Sequence, residues 1–161
     1  MRLEIDDIHA KPAEHAMLCV AMNASHTSVR KALQSLKTAL SERGFLPEEI
    51  TSIELVLAET LNNIVEHAYC DLGEGPINVK ISEEPNGLIF QVTDRGRPMP
   101  NGQPPLGILA VIDGNIAELP EGGFGWFLIR ELAHDLVYEH DGTSNVFSFR
   151  MNIATENGAH L

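Results

Sequence analysis

A chain of 161 residues with 43% hydrophobic side chains has the size and composition for one domain with a real core. Its formal net charge of −12 argues against nucleic-acid binding through a broad basic patch and against attraction to an anionic membrane. Cys19 and Cys70 form no CxxC and no Cys/His metal spacing, so they read as ordinary reduced thiols. The N-terminus lacks the apolar core of a signal peptide, and the longest apolar run, Met17 to Met22, is too short to cross a membrane. A cytoplasmic location is the expectation.

The first 15 residues are mixed and polar, with a break at Lys11-Pro12. Residues 16–22 read as a buried strand. A helix is expected over 26–43, with the stripe Val29, Ala32, Leu33, Leu36 and Leu40. Ser25 or Thr27 would cap it and Gly44 would end it. Pro47 suits a first helical position, and Glu48 and Glu49 favour the positive end of a helix. The spacing of Ile50, Ile53, Leu57, Leu61, Ile64, Val65 and Ala68 predicts a long central helix over 47–69. After a turn at 71–76, residues 77–83 and 88–93 read as two strands joined at Glu84-Pro85-Asn86-Gly87. Residues 99–121 contain four Pro, three Gly and no Lys or Arg, and read as a long lid-like loop. A helix is expected after Gly122-Gly123-Phe124-Gly125, then a hairpin of strands 135–140 and 144–152 around Asp141-Gly142. The order predicts one α+β domain over 1–161, with its core at about 16–152. It should be a two-layer sandwich, a mostly antiparallel sheet with helices on one face.

Three stretches carry candidate chemistry. On the central helix Glu59, Asn63 and His67 recur every four residues, each turned by only about 40° from the last. No Lys or Arg occurs between residues 44 and 79 to pair with that face, and two successive Asn weaken the helix. A carboxylate and a carboxamide beside a phosphate suit Mg²⁺, which takes few protein oxygens. At a strand end, Asp94-Arg95-Gly96-Arg97-Pro98 is either a plain turn or a carboxylate placed to accept from an exocyclic amine, with Gly96 giving a ring close access to the backbone. Gly122-Gly123-Phe124-Gly125 before a helix is either a hinge or a cradle of backbone N–H groups for an anion.

Taken together, E-x-x-x-N, D-x-G-x-P, a long loop and G-G-x-G in this order resemble the ATP-binding domain of the GHKL superfamily, most closely its anti-sigma factor serine/threonine kinase branch. The resemblance spans roughly residues 16–152 and implies ATP and Mg²⁺ as cofactors. It implies Glu59 as the catalytic group that orients or deprotonates the attacking hydroxyl, and Asn63 as the metal ligand. It implies Asp94 as the reader of adenine with Gly96 beside the ring, and Gly123, Phe124 and Gly125 as the lid-end segment that meets phosphate. His67, one turn beyond Asn63, is left open between a structural and a functional role. Asn145 stands where many members carry Thr next to the adenine, and the resemblance implies that its amide could hydrogen-bond there; Trp126 stands where many carry Leu.

Two functions follow. One is a kinase of a partner-switching circuit that phosphorylates a Ser or Thr of an antagonist protein and alternately binds a sigma factor. The other is a nucleotide-gated protein-binding module with little or no transfer, suggested by the loop without basic residues. Family members often dimerise, so a homodimer is open.

Overall fold

In the computed structural model, residues 16–107 and 123–153 are described; the expected N-terminal break, Gly122 and much of the 99–121 loop lie outside them. Strand β1 (Ala16–Asn23) leads into helix α1 (His26–Glu42). The Ser25 side chain accepts a hydrogen bond from the Ser28 N–H at 3.1 Å, which caps α1. Gly44 just beyond the helix has φ +85°, the left-handed conformation that only glycine adopts without strain. Helix α2 (Pro47–Asn63) opens on Pro47, and the Glu49 carboxylate accepts from the Leu46 N–H at 2.7 Å.

The sheet has the order β1-β2-β3-β5-β4, and every pairing is antiparallel. Its other strands are β2 (Pro76–Glu84), β3 (Gly87–Asp94), β4 (His134–His140) and β5 (Asn145–Met151), and helix α3 is Gly123–Leu132. Alternation decides which face is covered. Leu88, Phe90 and Val92 of β3 and Phe147, Phe149 and Met151 of β5 are buried in one core with Leu36 and Leu40 of α1, Ile53, Leu57 and Leu61 of α2, and Ile129 of α3. The rings of Phe90 and Phe149 stack at 4.9 Å across β3 and β5. The α+β two-layer architecture expected from the sequence is the one observed.

The central helix departs from expectation in its last turns. It is α-helical only to Asn63, and Ile64–Ala68 form a π turn in which the Tyr69 N–H reaches the Ile64 carbonyl at 3.1 Å. Its end is fixed by what it meets. The Tyr69 hydroxyl donates to the Pro76 carbonyl at 2.7 Å and accepts from the Arg95 N–H at 2.8 Å. The Arg97 N–H donates to the Ala68 carbonyl at 2.7 Å. The helix terminus is therefore sewn to the segment that leaves β3.

Candidate functional site

The site forms where α2, the end of β3 and the start of α3 converge. Antiparallel register puts Asp94 opposite Asn145, and Asn145 opposite His140. Directly opposed residues point to the same face, so these three side chains form a row on the covered side of the sheet. Asp94 is 6% exposed and Asn145 only 2%. Asp94 Oδ1 accepts from the Gly96 N–H and from Asn145 Nδ2, both at 2.8 Å. Oδ2 has no partner among the described residues, yet it is not sealed from solvent. Burial pushes the Asp94 carboxyl above its usual range, against the opposing pull of those two hydrogen bonds and of His140. The result is a desolvated carboxylate held by one oxygen, with the other free to accept a proton-bearing nitrogen.

Asn145 is spent differently from the sequence expectation of a base contact. Its Nδ2 donates to Asp94 Oδ1 and also to the Gly96 carbonyl at 3.0 Å and the Arg97 carbonyl at 3.3 Å. Its Oδ1 accepts from the Tyr138 hydroxyl at 2.8 Å and lies 2.8 Å from His140 Nδ1. Both N–H groups are engaged, and Oδ1 accepts from the Tyr138 hydroxyl. Asn145 holds the Asp94 carboxylate at Oδ1.

Gly96 has a sharper reason than ring access. A Cβ there would lie 2.5 Å from the Ala68 carbonyl oxygen and 2.6 Å from its carbon. Glycine is what lets the β3 exit lie against the π turn.

On α2, Glu59 and Asn63 keep the α spacing and both are partly buried. Asn63 makes no side-chain hydrogen bond among the described residues, and its Nδ2 is sealed from solvent without a partner. A carboxamide left unpaired by its own fold usually serves something else. The chemistry of the set fits Mg²⁺, because that ion takes few protein oxygens and the Asn63 amide oxygen is not consumed by the fold. No group of three His, Cys, Asp or Glu among the described residues forms a cage, so the phosphates would have to carry much of the coordination.

His67 is exposed and lies within the π turn that follows Asn63. Gly125 does join the site: a Cβ on it would collide with Glu59 Oε2, so the backbone of the first turn of α3 lies against the Glu59 carboxylate. The leading N–H groups of that helix lack intrahelical partners and can face an anion. Gly123 begins α3. The Phe124 side chain is 57% exposed and stacks against Phe127 at 6.1 Å.

Residues 22–151 match the histidine kinase-like ATPase domain. The chain belongs to the histidine kinase-like ATPase family. Curated relatives include proteins named serine-protein kinase RsbW. That of Halalkalibacterium halodurans is 33% identical over 102 residues, 61% of this chain and 60% of the relative. That of Oceanobacillus iheyensis is 29% identical over 114 residues, 63% of this chain and 65% of the relative. The match therefore spans under two thirds of the length of these two relatives. That of Listeria monocytogenes serotype 4a is 28% identical over 142 residues, 86% of this chain and 89% of the relative. Two solved structures share the fold. The RsbU and RsbW domains of a Mycobacterium tuberculosis protein superpose with TM-score 0.56 at 17% identity, over 84% of this chain and 32% of that one. A blue-light activated histidine kinase from Erythrobacter litoralis superposes with TM-score 0.51 at 18% identity, over 80% of this chain and 42% of that one.

Within this histidine kinase-like ATPase domain, several residues near the site escaped the sequence reading. Tyr69 and Tyr138 carry backbone-tethering hydroxyls, and burial raises both phenols above their usual range. Arg130 of α3 donates from Nε to the Pro105 carbonyl at 2.9 Å and from its terminal nitrogen to the Pro104 carbonyl at 3.2 Å. Gly107, at φ +75°, passes so close to α3 that a Cβ would sit 2.8 Å from the Phe127 nitrogen. The only advance signal was the alternation of Tyr138 and His140 on one face of a strand, and its meaning depends on the pairing with β5.

Proposed function

We propose that this protein is a Mg²⁺-ATP-dependent protein serine/threonine kinase of the partner-switching type. It would transfer the γ-phosphoryl group to a Ser or Thr of a small antagonist protein and alternately bind a sigma factor, as a cytoplasmic protein and with a homodimer as one available assembly. The observation that carries the reading is the meeting of Glu59 with the first turn of α3 at Gly125. A carboxylate able to accept a proton then lies beside backbone N–H groups able to hold a phosphate. The family membership and the relatives named serine-protein kinase support it.

The chemistry is positioning and charge neutralisation. Asp94 Oδ2 accepts from the 6-amino group of adenine, and Gly96 keeps the Asp94 segment against α2. The N–H groups at Gly123 to Gly125 meet phosphate oxygens. Asn63 is the side chain that would hold Mg²⁺, which supplies charge neutralisation across the phosphates. Glu59 accepts the proton of the substrate hydroxyl as its oxygen bonds to the γ-phosphorus and the bond to the β-phosphate oxygen breaks. The residues 99–121 would act as the lid. No helix among the described residues is long and apolar enough to cross a membrane.

A second reading, a nucleotide-gated binding module with little transfer, rests on a specific observation. No Lys or Arg lies between Arg97 and Arg130 in sequence, and Arg130 is committed to the carbonyls of Pro104 and Pro105. Incubation with [γ-³²P]ATP and antagonist-type proteins of the same cell separates the two. Label on a Ser or Thr that vanishes in Glu59→Gln while ATP binding persists is the kinase outcome. Tight ATP binding with no labelled partner is the module outcome.

A further inference from the structure

The Asp94 carboxylate is the end of a hydrogen-bond chain that begins at Met99, the first residue of the 99–121 segment. The Met99 N–H donates to the Tyr138 hydroxyl oxygen at 2.8 Å. That oxygen's own proton goes to Asn145 Oδ1 at 2.8 Å. The other end of the same carboxamide donates to Asp94 Oδ1 at 2.8 Å. The direction of every link is fixed. A backbone N–H can only donate, so Tyr138 must accept from Met99 and turn its proton to Asn145. The Asn145 amide cannot be reversed without setting its oxygen against a carboxylate and two carbonyls.

We infer that Tyr138 is a positioning residue for base recognition, and that it ties seating of the 6-aminopurine to the stem of the lid. The inference rests on the ATP reading above. Tyr138 sits on the edge strand β4 and, among the described residues, is the one bonded both to Asn145 and to Met99, the first residue of the 99–121 segment. Directly after Met99, Pro100–Gly102 turn in a short 3₁₀ segment, so a restraint on the Met99 amide is a restraint at the root of the loop. The Tyr138 hydroxyl holds Asn145 from its Oδ1 side while the Asn145 Nδ2 holds Asp94 Oδ1. Without it, Asn145 keeps its Nδ2 bonds but loses that donor and the tie to Met99, so the Asp94–Asn145 pair is seated less firmly. A base that binds the ordered carboxylate stabilises the whole chain of bonds, because a ligand favours the state it binds.

The test uses the full chain and its Tyr138→Phe variant, which keeps the ring. Affinities for Mg²⁺-ATP and Mg²⁺-GTP are measured by calorimetry, and exchange of the Met99 amide is followed by mass spectrometry with and without Mg²⁺-ATP. The native chain should prefer ATP, and its Met99 amide should exchange more slowly when ATP is bound. In the variant the ratio of ATP to GTP affinity should fall about fivefold, the worth of one ordinary hydrogen bond, and the ATP-dependent protection of Met99 should disappear. A purely structural role would lower the melting temperature and leave the ratio unchanged, and that result overturns the inference. If the variant does not fold, native exchange at Met99 that ignores ATP overturns it equally. Failure of the native chain to bind either nucleotide would remove the ATP reading itself, a different result from an ATP-binding chain whose base preference ignores Tyr138.

Discussion

Replacing Asp94 by Asn separates the two oxygens of that carboxylate. Asp94 Oδ1 accepts from the Gly96 N–H and from Asn145 Nδ2, and an asparagine oxygen in the same place accepts both. The fold's own bonds survive. At Oδ2 the substitution sets an NH₂ group where adenine would donate, so donor meets donor. Hydrogen bonds to a charged partner contribute about 1.5–3 kcal/mol, so ATP affinity should fall roughly 10- to 150-fold. GTP carries a carbonyl at the equivalent ring position, which the native carboxylate repels and the variant's NH₂ can meet. The preference for ATP over GTP should therefore collapse or invert. Stability should move the other way. Burial raises the Asp94 pKa, so the folded state holds the proton more tightly than the unfolded chain. That contribution is fully present below the unfolded value and lost as pH rises through the folded one. At neutral pH the native protein carries a desolvated charge, and the Asp94→Asn variant should melt at the same temperature or higher. Calorimetric titration with both nucleotides, with thermal melts at pH 7, checks each half. A variant that binds ATP within twofold of native, or one that melts several degrees lower, would refute the reasoning.

Other consequences follow from single contacts. Gly96→Ala forces a methyl against the Ala68 backbone and should cost about 1–3 kcal/mol by denaturant unfolding, weakening nucleotide binding as the Asp94 segment lifts from α2. Gly125→Ala meets only the flexible end of Glu59, so unfolding should change by less than about 1 kcal/mol while phosphoryl transfer falls more than ATP binding. Nucleotide affinity should decline on acidification at a higher pH than an ordinary Asp would dictate, because the Asp94 pKa is raised and protonation fills the accepting oxygen; titrations between pH 4 and 8 read this directly. Phe149→Ala removes a ring stacked on Phe90 in the closed core and should cost about 3–5 kcal/mol in chemical denaturation.

The elements were legible in the sequence because each is amphipathic at its own period, and the strand and helix boundaries fall within a residue or two of those expected. The π turn was not. Nothing in Ile64–Ala68 departs from a helical pattern; the pitch changes because Tyr69, Gly96 and Arg97 tie the helix end to the β3 exit, and those ties link residues roughly 30 apart. Asp94 and Asn145 were legible as polar residues at strand ends. Their partnership was not, since it depends on β3 pairing with β5 rather than with β4, the next strand in sequence.

The central claim is that Asp94, Asn63 and the first turn of α3 make a Mg²⁺-ATP site. Calorimetric titration of the native chain and of Asn63→Ala with ATP, each with and without Mg²⁺, tests it most directly. The account predicts saturable binding by the native chain that Mg²⁺ strengthens, and binding by the variant that Mg²⁺ no longer changes. At ligand a hundred times above the dissociation constant, the native chain should also gain about 2.7 kcal/mol of stability. A native chain that takes up no adenine nucleotide, with or without the metal, would contradict it.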